Sequence, residues 1–188
     1  ALLSASIQRW LSPVPEHSCL FVRAEGGFAV AGPARVATEL NRRFRAEPES
    51  GKFFTLVYGV LDLRDGTFTY ATAGHPAPVL AGPGGVAACE LAPGVPVGVL
   101  EEFAYGEGRV RLAPGHRLLL YTDGVTEAVD PADRLYGSER LLQDVERHGD
   151  RPPDDALAGV LAALRAWTGG HGLEDDVTLL MLESTGTP

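Results

Sequence analysis

Phe53-Phe-Thr-Leu-Val-Tyr-Gly-Val-Leu-Asp-Leu-Arg-Asp-Gly-Thr-Phe-Thr-Tyr-Ala-Thr72 is a pair of β-branched and aromatic runs around Arg64-Asp65-Gly66. Asp-Gly between such runs favours a reversal, because glycine accepts the backbone angles that tight turns demand. The stretch predicts two antiparallel strands, and the same pattern repeats downstream of it. β-like runs at 78–81, 86–91, 103–112 and 117–122 are divided by Gly82-Pro-Gly-Gly85, Ala92-Pro-Gly94 and Ala113-Pro-Gly-His116, as short antiparallel strands would be.

Helices bracket this sheet. In Ala1–Leu11, Leu3, Ile7, Trp10 and Leu11 fall at helical spacing before Ser12-Pro13 ends the run, and Ala1 reads as the middle of a helix. After an irregular Gly-containing stretch, Gly32-Pro33 opens a second helix that carries Val36, Leu40 and Phe44 on one face and ends near Arg45. Ser138–Arg147 and Pro153–Trp167 read as two more, the latter with Leu157, Val160, Leu161 and Leu164 on one face, before a closing strand Val177–Leu182. The order predicts an α+β domain with helices packed over stacked sheet. A doubly wound parallel fold is disfavoured, because hairpins are frequent and no Gly-x-Gly-x-x-Gly or Walker-type loop joins a strand to a helix.

The 188 residues, 45% hydrophobic and 22% charged, suit a single globular domain, with no linker or repeat to divide it. A net charge of −9 without a dense cluster of Lys and Arg excludes nucleic acid as a partner. No apolar stretch approaches the roughly 20 residues of a membrane span, so no membrane contact by this domain is expected. Cys19 and Cys89 form neither a CxxC pair nor a disulfide framework, which points to a reducing cytoplasm. The chain opens with no Met and no signal-like run, so something upstream is expected to precede Ala1.

The sharpest candidate for chemistry is Arg117-Leu-Leu-Leu-Tyr-Thr-Asp-Gly-Val-Thr-Glu-Ala128, an apolar strand that runs out on Asp123 with Gly124 behind it. A carboxylate fixed at a strand end, beside a residue that lets backbone approach closely, suits a hard divalent cation; taken alone, Asp-Gly is also a common turn. The second candidate is Glu174-Asp175-Asp176 ahead of a buried strand, where repulsion is relieved by a bound Mg²⁺ or Mn²⁺ or screened in a solvated loop.

With Leu40-Asn41, Phe54-Thr-Leu-Val-Tyr58, Tyr70-Ala-Thr-Ala-Gly-His-Pro76, Gly94-Val-Pro-Val-Gly98, Leu120-Tyr-Thr-Asp-Gly-Val-Thr-Glu-Ala128 and Asp175-Asp-Val-Thr-Leu179, these segments are spread in order along nearly the whole chain. In that order it resembles the SpoIIE family, the bacterial branch of the PPM (type 2C) metal-dependent serine/threonine protein phosphatases. The resemblance implies an antiparallel β-sandwich flanked by helices, with carboxylates at one end holding two Mn²⁺ or Mg²⁺ ions. Asp123 and Asp175 match two of the ligands and would act in catalysis through metal-activated water. Asp176, Gly124 and Glu127 stand behind them; Glu127 either reaches a metal-bound water or caps a short helix. The implied substrate is a phosphorylated regulatory protein, a STAS-type anti-anti-sigma factor, and a homodimer is compatible with this reading.

The departure from the family is as informative. Relatives carry a Gly-Asp-x-x-Asp strand and a Gly-Asp-Val-x-Gly turn ahead of the helix matched by Ala1–Leu11, and neither occurs in residues 1–188. The expectation is therefore a single domain over 1–188 that lacks its N-terminal strands, leaves a sheet edge exposed, and is inactive by itself although its parent protein is active. The rival reading is a partner-binding pseudophosphatase that grips without turnover; a plain β-rich scaffold is more distant. His75, between Gly74 and Pro76, is expected in a tight turn. His17, His116, His148 and His171 share no ligand spacing and are expected at the surface, and Arg134 and Arg140 are either surface charges or phosphate contacts.

Overall fold

A computed structural model describes residues 7–45, 52–90, 92, 94–170 and 172–186. In chain order the strands are β1 (Phe21–Ala24), β2 (Gly27–Val30), β3 (Leu56–Asp62), β4 (Thr67–Ala73), β5 (Val79–Gly82), β6 (Gly85–Ala88), β7 (Gly108–Arg111), β8 (Arg117–Tyr121) and β9 (Leu179–Glu183). Among the described residues the longer helices are α1 (Pro33–Arg45), α2 (Gly137–Arg147) and α3 (Pro153–Trp167), with a 3₁₀ turn at Asp123–Val125. The chain divides into two compact units, Ala1–His75 with Leu91–Val110, and Pro76–Glu90 with Arg111–Pro188.

In the first unit, β3 and β4 pair antiparallel from Leu56↔Ala73 to Asp62↔Thr67, which places the Arg64-Asp65-Gly66 reversal where the sequence puts it. The sheet order is β3-β4-β7, so among the described residues β3 and β7 each pair with one strand. Helix α1 starts with Pro33, whose missing N–H costs nothing in a first turn. It buries Val36, Leu40 and Phe44, the face foreseen from their spacing, and Ala37 beside them. Ala71, Ala73, Val97 and Tyr105 join Ala37 and Phe44 in one cluster; Val36 and Leu40 pack with Cys19 and Ala31 in another. Residues 7–10 are helical, and the chain turns at Ser12 as expected. The start of that helix, residues 1–6, lies outside the described residues.

The irregular stretch expected before α1 is instead a hairpin, β1 paired with β2 from Phe21↔Val30 to Ala24↔Gly27. All four residues of β2 are exposed, so neither strand shows the alternation that marks a strand with one buried face.

The second unit is a four-stranded antiparallel sheet, β6-β5-β8-β9, covered by α2 and α3. Val79, Ala81, Leu119 and Tyr121 meet Leu141 and Val145 of α2 and Val160 and Leu164 of α3. Each such leucine or valine, fully buried, contributes about 1.5–3 kcal/mol relative to exposure. Beside this core, Tyr136 donates its hydroxyl to the buried carboxylate of Asp144, which also binds Arg147. Among the described residues no helix is long and apolar enough to cross a membrane.

Candidate functional site

Strand β8 delivers the first carboxylate. Leu119 and Tyr121 point into the core, and the backbone ladder to β9 runs one step past the strand, where Thr122 N–H donates to the Thr178 carbonyl at 3.1 Å. The chain then tightens into the 3₁₀ turn, closed by Val125 N–H to the Thr122 carbonyl at 3.1 Å and anchored by the fully buried Val125. The Asp123 carbonyl accepts from the Thr126 hydroxyl at 3.1 Å and from Glu127 N–H at 2.9 Å. The half-buried side chain of Asp123 accepts from Gly124 N–H through Oδ1 at 3.1 Å.

The second acidic segment leaves the same end of the sheet, because Tyr121 pairs with Leu179 in the β8–β9 register. Asp175 Oδ1 accepts from Asp176 N–H at 2.7 Å. The Asp176 carbonyl accepts from the Thr122 hydroxyl at 2.9 Å, although the two residues are 54 positions apart. A Cβ on Gly124 would sit 2.8 Å from the Asp176 oxygen and 3.4 Å from Asp175 Cβ. The sequence thus brings its two chosen segments together, with glycine where backbone meets backbone. Asp175 and Asp176 are exposed, and the hydrogen bonds just given to Asp176 run through its main chain. Glu127 is exposed, and its place in the turn is fixed by its own N–H. Among the described residues no group of three or more His, Cys, Asp or Glu is placed to hold a metal ion.

The remaining motifs lock one another in the first unit. Gly74, at φ +67°, donates its N–H to the Gly94 carbonyl at 3.2 Å, and a Cβ there would lie 2.4 Å from Pro96 Cγ. A Cβ on Gly94 would lie 1.7 Å from the Thr72 carbonyl oxygen. Asn41, buried on α1, donates to the Leu100 carbonyl at 2.8 Å and accepts from Gly98 N–H at 2.8 Å. Thr72, Gly74, the segment Gly94–Gly98 and Asn41 therefore make a packing unit. His75 follows the Gly74 turn, its Nδ1 3.5 Å from Thr55 Oγ1.

Arg134 and Arg140 both lie over the Trp167 ring, at 5.4 and 4.0 Å. Arg134 also binds the buried Asp130, whose carboxyl it holds below the usual carboxylate range. The histidine expectation needs correction: His17 is exposed, but His116 and His148 are half-buried, and His148 Nδ1 is enclosed with no hydrogen-bond partner among the described residues. Both rings lean on glycines, His116 on Gly82 and His148 on Gly159, a contact that spacing does not announce. His171 lies outside the described residues.

This architecture is that of the PP2C-type phosphatase domains. Over 97% of this chain and 66% of the other it superposes on the SiaA PP2C domain of Pseudomonas aeruginosa with TM-score 0.74 and 21% identity. Over 100% of this chain and 47% of the other it superposes on the RsbU and RsbW domains of Rv1364c from Mycobacterium tuberculosis, with TM-score 0.72 and 26% identity. Residues 10–185 match the family model of Stage II sporulation protein E, and the chain belongs to this SpoIIE family. It is 28% identical to the phosphoserine phosphatase RsbP of Bacillus subtilis over 155 residues, 80% of this chain and 37% of that protein. The chain spans less than half the length of the curated relatives it matches.

Proposed function

We propose that the protein carrying this chain hydrolyses phosphoserine or phosphothreonine on a regulatory protein, with Asp123 and Asp175 as metal-ligating carboxylates. The observation that carries the reading is the junction of their two loops, where the Thr122 hydroxyl meets the Asp176 carbonyl and Gly124 abuts Asp175. Family membership and the similarity to RsbP support the reaction class.

In kind, the donors fit Mn²⁺ or Mg²⁺: both are hard carboxylates whose Oδ1 atoms are held by neighbouring N–H groups. In number they fall short, since such ions take about six oxygen ligands each. The proposal is therefore that carboxylates outside residues 1–188 complete a two-ion site, and that these residues alone turn over no substrate. When bound, the ions supply an acidified water and neutralise charge on the phosphoryl oxygens. The chain's own part is to hold Asp123 on the pinned 3₁₀ turn and Asp175 on the loop stitched to it. Asp176 and Glu127 flank the ligands; Gly124 permits the close approach.

Within this reading residues 1–188 act as a single phosphatase domain in the cytoplasm, and the substrate is a STAS-type anti-anti-sigma factor. The test is turnover of a phosphoserine-bearing STAS protein by the full-length protein with Mn²⁺. Asp123→Asn and Asp175→Asn are each expected to lower turnover by more than about a hundredfold, beyond the roughly 10- to 100-fold typical of losing a supporting residue. Wild-type turnover in Asp123→Asn would overturn the assignment. Tight binding of the phosphoprotein by the wild-type protein without turnover would identify a pseudophosphatase instead.

A further inference from the structure

We infer that Thr122 is a positioning residue of this centre, its hydroxyl clasping the Asp175-Asp176 loop against the turn that carries Asp123. The inference rests on the reading of Asp123 and Asp175 as ligands. The hydroxyl is used twice: it donates to the Asp176 carbonyl at 2.9 Å and accepts from Thr178 N–H at 2.9 Å. A hydroxyl has one hydrogen and two lone pairs, so this hydrogen is fully committed. With the Thr122 N–H bond to the Thr178 carbonyl, at 3.1 Å, a single residue holds 176–178 at three points.

What lies on either side gives the clasp its consequence. Asp123 follows Thr122 directly, with a carbonyl fixed by Thr126 and Glu127. Asp175 precedes the clasped segment and rests against Gly124. The loop ahead of β9 has not yet entered the sheet, and Asp175 and Asp176 are exposed, so the sheet's own ladder does not hold them. Valine has nearly the same shape and β-preference as threonine, so strand formation does not require a hydroxyl at this position. Metal-ligating carboxylates do require placement to within about 0.5 Å, which a hydroxyl at the junction supplies.

The test compares Thr122→Val and Thr122→Ser in the full-length protein by calorimetric titration with MnCl₂ and by the Mn²⁺ dependence of turnover. Thr122→Val is expected to weaken Mn²⁺ binding by about 10- to 100-fold, the usual range for an outer-shell partner, and to raise the Mn²⁺ needed for half-maximal turnover in step. At saturating Mn²⁺ its kcat returns to within about threefold of wild type, and Thr122→Ser binds Mn²⁺ within about threefold of wild type. A role confined to fold stability would lower the melting temperature and leave Mn²⁺ affinity unchanged. Wild-type affinity in Thr122→Val overturns the inference, and so does a serine variant as weak as the valine one. If the valine variant does not fold, Thr122→Ala replaces it under the same criteria. Asp123→Asn, titrated in parallel, separates two failures. Unchanged Mn²⁺ binding there refutes the ligand assignment itself, whereas loss there beside wild-type affinity in Thr122→Val refutes the clasp alone.

Discussion

Gly124→Ala adds one methyl group where the two acidic loops touch. Gly124 has no left-handed backbone angle, so alanine meets no conformational penalty at the residue itself. The obstacle is the Asp176 carbonyl oxygen, 2.8 Å from the new Cβ, where ordinary contact begins at 3.4 Å. The loops must therefore part by about 0.6 Å, and the atom in the way is backbone, which cannot rotate aside as a side-chain tip would. Overpacking of this kind costs about 1–3 kcal/mol. For a domain of this size that is a fall in the domain's melting temperature of about 2–12 °C. Differential scanning calorimetry of the full-length protein without metal measures it, and amide exchange at Thr178 should quicken because its acceptor moves with the turn. Gly84→Ala is the control, since a Cβ there meets nothing within 4 Å. If Gly124→Ala melts with that control, the close approach is not a constraint and the picture of two abutting loops is wrong.

Tyr136→Phe removes the hydroxyl that donates to buried Asp144. Hydrogen bonds to charged groups contribute about 1.5–3 kcal/mol, so urea denaturation should show a loss of that size, and a loss under about 0.5 kcal/mol would count against the pairing. Glu39 on α1 accepts from Arg42 and Arg43; its carboxyl is lowered from 4.5 to about 2, chiefly by the Arg42 hydrogen bond. A lowered folded-state pKa stabilises fully above the unfolded value, and the gain is lost as pH falls from 4.5 through about 2. Glu39→Gln should therefore flatten the acid limb of stability across that window; an unchanged slope would refute the coupling.

Much of the fold was legible in the letters. Pro153–Trp167 is a helix with the bounds read from its pattern, because proline fixes one end and the apolar stripe runs to the other. The β3–β4 hairpin follows from β-branched and aromatic runs on either side of Asp-Gly. Elsewhere tertiary demands overrode the pattern. The run 103–112 is a strand only over Gly108–Arg111, since Phe103 and Tyr105 serve the core from irregular chain, edge-on to each other at 4.9 Å. The closing strand begins at Leu179 rather than Val177, because the Thr178 N–H donates to the Thr122 side-chain hydroxyl and not to a main-chain carbonyl of β8. The segments bearing Asp123 and Asp175 could be chosen from sequence because acid beside glycine at a strand end, and acid stacked before a strand, are local signals. Thr122 could not, since a threonine ending a strand reads as β-preference until its partner 54 positions away is seen.

The interlock of Gly74 and Gly94 has a bearing on how relatives of this chain are recognised. A methyl group 1.7 Å from a carbonyl oxygen cannot be accommodated, so the glycine at position 94 is dictated by steric fit whether or not any reaction takes place. Letters fixed in this way should outlive a lost activity: a descendant stripped of its acids would still spell these glycines. A search keyed to them sorts proteins by scaffold, and telling working copies from silent ones requires inspecting positions 123 and 175.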